Sequence, residues 1–165
     1  MKKKIKVFLL ILLCAFVIIQ FFHPAKNEDT KQDGVIKDIA TVFSVPDSVK
    51  NILQTSCYDC HSNSTKYPWY ASFQPVDWWL NNHIQEGKKE LNFSEFASYR
   101  IRRQYKKFDE IIKEVKEDEM PLSSYTLIHT DAKLSDGQKK LLIDWATGLR
   151  AQMKAQYPAD SLVKK

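Results

Sequence analysis

Glycine is scarce in this chain, with four among 165 residues, and cysteine scarcer still, with three. A chain so poor in glycine, carrying long runs of polar–apolar periodicity, leans helical. Clean alternation of polar and apolar residues never lasts more than a few positions, and no Asn-Gly or Asp-Gly pair is flanked by strand-like runs. Asp136-Gly137 does occur, but inside a helix-start pattern. These absences exclude a hairpin-built β architecture and predict an all-α fold. Internal repeats are lacking too.

Acidic residues are missing before Glu28, whereas Lys2, Lys3, Lys4 and Lys6 crowd the N-terminal tip. Of 25 basic residues, setting those four aside leaves 21 against 20 acidic ones, so the rest of the chain is nearly neutral. A nucleic-acid-binding domain would carry its excess positive charge on the folded part. Nucleic acid is therefore not the expected partner.

Behind the lysines comes VFLLILLCAFVIIQFF, residues 7–22, interrupted only by Gln20. The run is a little short of the roughly 20 residues that span a bilayer. Ile5 and the stem of Lys6 would lengthen it, and the lysines would stay inside by the positive-inside preference. No small-x-small cleavage site follows in FFHPAKNE, and bulky Leu12 and Leu13 argue against a lipoprotein site at Cys14. The expectation is an uncleaved, single-pass transmembrane helix over residues 1–22 in the cytoplasmic membrane, with a cleaved signal as the alternative. Its N-terminus would lie in the cytoplasm and the rest on the periplasmic, extracytoplasmic side. Residues 23–45, polar at first, read as a linker, residues 46–155 as the folded domain and residues 156–165 as a tail.

Within the domain, SVPDSVKNILQTS predicts a helix capped by Ser44 or Asp47, with Val49, Ile52 and Leu53 on one face. A second helix starts near Pro75, its apolar side made by Val76, Trp79, Leu80, His83 and Ile84, with Gly87 placed to end or loosen it. A third runs through residues 92–120, with Ser94 as a cap. The last begins at Ser135, where Ser135 and Gln138 form a capping-box pattern ahead of Leu141, Leu142, Trp145 and Leu149. Longer loops are expected over residues 62–74 and 117–134.

Two of the three cysteines stand in TSCYDCHSN, with His61 directly after Cys60. Cysteines at i and i+3 place both sulfurs on one edge of a helical turn. Thioether bonds from such a pair can hold one side of a haem while the next residue reaches the iron. C-x-x-C-H is the attachment signature of c-type haem. Structural zinc commonly draws on a second pair of ligands, and no second C-x-x-C is present. A thioredoxin-like dithiol would sit beside a βαβ pattern, which is absent, and a disulfide here would close only a four-residue loop. The expected cofactor is one covalently bound haem c on Cys57 and Cys60, with His61 as proximal ligand.

The sixth iron ligand has several candidates. Met120 leads, because in EDEMPLSS it follows three acids and precedes Pro121, which fixes local backbone. His129 in TLIHTDAKLS is the alternative, then His83 on the apolar side of its helix. Met153 and His23 lie late in the last helix and in the linker. The cluster YPWYASFQPVDWW reads either as a wall around the porphyrin or as core.

Joined in order, CYDCHSNSTKYPWYASFQPVDWWLNNHIQEGKKELNFSEF and MPLSSYTLIHTDAKLSDGQKKLLIDWA resemble a small cytochrome c-like haem-binding domain family, often membrane-anchored. The resemblance covers roughly residues 46–150. It implies covalent haem on Cys57 and Cys60, proximal His61, and a cytochrome c-like order of haem-motif helix, Met-Pro loop and terminal helix. No particular reaction comes with it. Ligation by His61 and Met120 would leave no open site and suit electron transfer with membrane redox proteins as partners. An open distal site, with His129 or His83 near the iron, would instead suit a haem enzyme or sensor handling peroxide or a gas.

Overall fold

The short helix α2 (Asp47–Ser56) buries Val49, Ile52 and Leu53 on the face that the periodicity predicts. The structure, a computed structural model, describes residues 2–28 and 37–163. The expected cap differs: Pro46 precedes α2 with no side-chain cap, and Asp47 places its charge in the first turn, where the helix dipole favours it. Ser44 instead gives its carbonyl to the Trp145 indole N–H, at 3.0 Å. After Cys57 the chain makes one further turn, α3 (Tyr58–His61).

Helix α4 (Val76–Glu90) runs straight through Gly87 and ends when Leu91 N–H donates to the Gly87 carbonyl. The expected third helix is split in two. Asn92 accepts from Ser94 N–H and starts a 3-10 turn, Phe93–Ser98, whose three-residue period buries both Phe93 and Phe96. Only then does α5 (Ile101–Lys116) begin. The brief α6 (Ser123–Thr126) follows, then α7 (Asp136–Gln156) with its complete Ser135–Gln138 capping box, and α8 (Ala159–Leu162).

Helices α5 and α7 lie antiparallel. Asp118 meets Lys139 at one end, Asp109 meets Arg150 at the other, and the Phe108 and Trp145 rings pack edge-to-face between them at 5.8 Å. The main core joins these two helices to α2, Phe93, Phe96 and Ile39. A smaller cluster of Ala71, Leu80 and Ile84 lies between α4 and the 3-10 turn Trp69–Ser72. Cys57 and Tyr58 pack on the first cluster and Cys60 on the second, so the C-x-x-C segment lies along their seam.

The all-α expectation holds, with every regular element among the described residues helical. The transmembrane part of that expectation does not. Among the described residues, no helix is long and apolar enough to cross a membrane. Lysines fill four of the first five positions of α1 (Lys2–Ile19), leaving the apolar stretch from Val7 to Ile19. At 1.5 Å per residue that stretch is about 20 Å long, against a hydrocarbon core of about 30 Å. The sixteen-residue apolar run continues past the helix end: Gln20, Phe21 and Phe22 close a turn onto the carbonyls of Val17, Ile18 and Ile19. The single-pass topology that rested on this crossing falls with it.

Beyond the turn the chain is fastened to α4. Gln20 and Gln74 exchange side-chain-to-backbone hydrogen bonds at 3.2 and 2.9 Å, and Trp78 donates its indole N–H to the Phe22 carbonyl at 2.8 Å. His23 Nδ1 lies 2.7 Å from Asp77. Asn27 is buried and donates to the Ser62 carbonyl and to Thr65. The centre of the expected linker, residues 29–36, and the end of the tail lie outside the described residues.

Candidate functional site

His61 stands where α3 meets the end of α4. Its Nδ1 lies 2.9 Å from both the Gly87 and the Leu91 carbonyls. Carbonyls only accept, so Nδ1 carries the proton and Nε2 keeps its lone pair, the tautomer that a metal-binding imidazole needs. Burial pushes the ring's pKa down, against the two backbone hydrogen bonds, and the positive charge of Lys107 adds to the effect. The ring is therefore neutral, and Phe93 flanks it edge-on.

The Gly87 carbonyl reaches His61 because Gly87 has no side chain. A Cβ there would sit 2.7 Å from the Cys60 carbonyl oxygen. The exit from α3 is tied to the same region, since Asn63 accepts from the Asn92 amide at 2.7 Å and donates its backbone N–H to Ser94.

A cleft opens in front of His61. Its larger part, about 570 Å³, is walled by Leu53, Cys57, Leu91, Phe93, Ile111, Val115 and Leu142, with Lys107, Glu110 and Glu90 among its polar lining. A smaller part, about 280 Å³, carries Cys60, Asp59, His83, Glu86, Gly87, Leu122 and Tyr125. Ser56, Cys57, His61, Glu90, Met120 and Pro121 line both, so the two parts are one cleft. Its size and largely apolar walls suit a flat cofactor.

Met120 enters this cleft through a specific helix ending. Asp118 takes the left-handed conformation, φ 61°, and Glu119 N–H turns back to the Glu114 carbonyl at 3.0 Å. That is a Schellman ending of α5 with aspartate where glycine is usual. The next residue is Met120.

The thiols are held as thiols. Burial and then Cys60 push Cys57 up to about 12; burial and then Asp59 push Cys60 up to about 11. Reactive dithiols have lowered, not raised, values. Both cysteines are free, and no three His, Cys, Asp or Glu side chains gather around a metal-ion position among the described residues. A zinc or dithiol site therefore finds no support, while the donor set fits haem: two protonated thiols, a neutral imidazole with Nε2 available and a thioether on one cleft.

Of the other candidates, His83 alone lines the cleft. The His129 Nε2 is hydrogen-bonded to the Tyr70 hydroxyl at 2.7 Å, and its ring stacks on Tyr125. His83 borders the smaller part of the cleft and donates Nδ1–H to the Trp79 carbonyl at 2.9 Å. Met153 is buried in the main core and His23 pairs with Asp77. The aromatic cluster divides: Tyr67 and Tyr70 pack on the smaller core, whereas Trp69, Phe73, Trp78 and Trp79 are exposed and line neither part of the cleft, because the turn Trp69–Ser72 directs Ala71 inward and α4 directs Leu80. Sequence reasoning missed Leu91, Asn92 and Phe93, and took Gly87 only as a place where its helix ends or loosens. For Gly87 a signal existed, since a lone glycine inside a helical pattern marks a close approach.

A family model described as a haem-binding domain matches residues 14–148, most of the chain, and the chain belongs to that family. No curated protein and no solved structure matches it.

Proposed function

From haem binding as the family's property, we propose that this chain is a monohaem c-type electron carrier. Cys57 and Cys60 form the thioether links, His61 is the proximal ligand and Met120 the distal one. The observation that carries the reading is His61: Nδ1 is fixed by two carbonyls and Nε2 is left for iron, beside Cys57 and Met120.

Cys57 and Cys60 would hold the haem through links that each amount to an S–H added across a vinyl group, sulfur to one carbon and hydrogen to the other. Burial keeps both groups as thiols. Bound in the cleft, the haem would supply one-electron chemistry at its iron, at a potential that thioether ligation raises. Helix α4 stands behind His61 and holds it, and His83, one turn before Gly87 on that helix, borders only the smaller part of the cleft, whereas Met120 lines both. His129 has its Nε2 engaged by Tyr70. Both points favour Met120, which arrives from the α5–α6 connection. The partners would be redox proteins reaching the rim of the cleft.

The test is spectroscopic. Matured protein should give a pyridine haemochrome of the c type and keep its pigment in acid acetone, and the double variant Cys57→Ala, Cys60→Ala should release it. The oxidised protein should show the weak sulfur-to-iron charge-transfer band in the red, and Met120→Ala should abolish the band and lower the potential. A second reading rests on His83 and Glu86 bordering the cleft: an enzyme or sensor with an open distal site. A high-spin wild type that binds carbon monoxide or cyanide readily would select it.

A further inference from the structure

Two side chains of the stretch from Met120 to His129 have no part in this ligand set, yet both make long-range contacts. The Tyr125 hydroxyl donates to Asp59 Oδ2 at 2.7 Å. Asp59 lies between Cys57 and Cys60, and its own orientation is fixed, because Oδ1 accepts from Lys66 N–H at 3.1 Å and its carbonyl accepts from Thr65 at 2.6 Å. The Tyr125 ring stacks on His129 with centroids 4.4 Å apart and planes 18° from parallel. His129 in turn is hydrogen-bonded to Tyr70. Apolar burial does little for this stretch, since Leu127 and Ile128 are 80% and 60% exposed.

We propose that Asp59, Tyr125, His129 and Tyr70 form a clamp that positions Met120 at the haem iron. The proposal rests on the reading of Met120 as distal ligand. Its logic is topological. Asp59 is two residues before His61 and Tyr125 five after Met120, so their hydrogen bond joins the segments that carry the two axial groups. The strength of that bond enters the equilibrium between bound and displaced Met120. Tyr125 is a positioning residue: it acts through the segment it holds, and the stack on His129 passes the restraint to the turn Trp69–Ser72.

The test uses the matured haem protein. Tyr125→Phe keeps the stacked ring and removes the bond; Asp59→Ala removes the acceptor, and Asp59→Asn retains one. A hydrogen bond to a charged group predicts that the first two variants bind imidazole roughly ten- to hundredfold faster and weaken the sulfur-to-iron band. The double variant should go no further than either single one, and Asp59→Asn should lie closer to the wild type. Hydrogen exchange of the apoprotein reads the same contact without haem: Tyr125→Phe should speed exchange across residues 120–129 and leave α7 unchanged. A wild type that shows the band, with variants that leave band, imidazole rate and exchange unaltered, overturns the clamp alone. A wild type without the band overturns Met120 ligation and the clamp with it.

Discussion

Gly87 shows how one missing side chain can set the geometry of the imidazole proposed to bind iron. Helix α4 approaches α3 so closely at this point that a Cβ would meet the Cys60 carbonyl oxygen at 2.7 Å and its carbonyl carbon at 3.3 Å. Both are backbone atoms of the C-x-x-C segment, so no rotamer change relieves the contact. Gly87→Ala should destabilise the apoprotein by about 1–3 kcal/mol, the usual range for overpacking, and should lower the yield of matured haem protein, because the displaced Gly87 carbonyl is one of the two that hold His61 Nδ1. Urea unfolding followed by far-UV circular dichroism measures the first effect and the haemochrome yield the second. Gly148 is the control. Nothing lies within 4 Å of its Cβ position in α7, so Gly148→Ala should stabilise by roughly 0.5–1 kcal/mol through helix propensity alone. Equal effects at the two sites would mean that α4 and α3 do not pack at this distance.

At the scale of elements, the cleft wall supplied by α5 carries a buried charge. Lys107 exposes only 8% of its side chain, yet pairs with Glu110 at 2.5 Å and Glu90 at 3.4 Å. Burial works against the ionised Glu110 carboxyl, but hydrogen bonds and charges from Lys106 and Lys107 outweigh it, so its pKa is lowered from the ordinary 4.5. A lowered folded value means that the folded state binds fewer protons than the unfolded one. The stability this contributes is present above about pH 4.5 and is lost as pH falls through that value to the folded one. Glu110→Gln should flatten the acid limb of stability against pH, measured by urea midpoints between pH 3 and 7. At neutral pH it should cost about 1–3 kcal/mol, because the buried ammonium then keeps only Glu90 as a carboxylate partner. An acid limb identical in wild type and variant would rule the cluster out. None of this was legible in the sequence, where Lys107 reads as one of many charges on a solvated face. The same holds for the split before α5: Asn92 and Tyr99 are matched by a backbone hydrogen bond to the Tyr99 hydroxyl, at 2.9 Å, which no helical period announces. Local signals fared better. The Ser135–Gln138 capping box and the apolar face of α2 each depend on residues a few positions apart, and these are the features that the sequence placed correctly. What escaped it, from the Gly87 and Leu91 carbonyls on His61 to the Tyr125–Asp59 bond, joins residues 26 to 66 positions apart.

The whole molecule divides into a packed domain and a helix that the domain does not cover. Helix α1 buries none of its residues, and its large apolar side chains, Phe8, Leu9, Ile11 and Phe16 among them, are about half exposed or more. Residues 20–27 are of another kind: they place one buried asparagine and several hydrogen bonds on the domain. Lys88 donates to Asn27 Oδ1 at 2.5 Å, and Asn27 N–H donates to the Tyr67 hydroxyl at 2.6 Å. The family match starts at residue 14, inside α1, and so takes in the docked stretch. Two truncations separate the roles. Removing residues 1–19 should leave the unfolding midpoint of the haem domain within a few tenths of a kcal/mol, because no buried surface is lost, and should reduce self-association in sedimentation, because a contiguous apolar surface disappears. Removing residues 1–27 should destabilise by about 1–3 kcal/mol, since Ser62, Thr65 and Asp77 lose their partners beside the haem motif. That loss should reach the site: Ser62 directly follows His61, so the longer truncation should also broaden or weaken the axial-ligand spectrum where the shorter one does not. If both truncations behave alike, the docked stretch contributes nothing to the domain, and the boundary of the folded unit lies beyond residue 27.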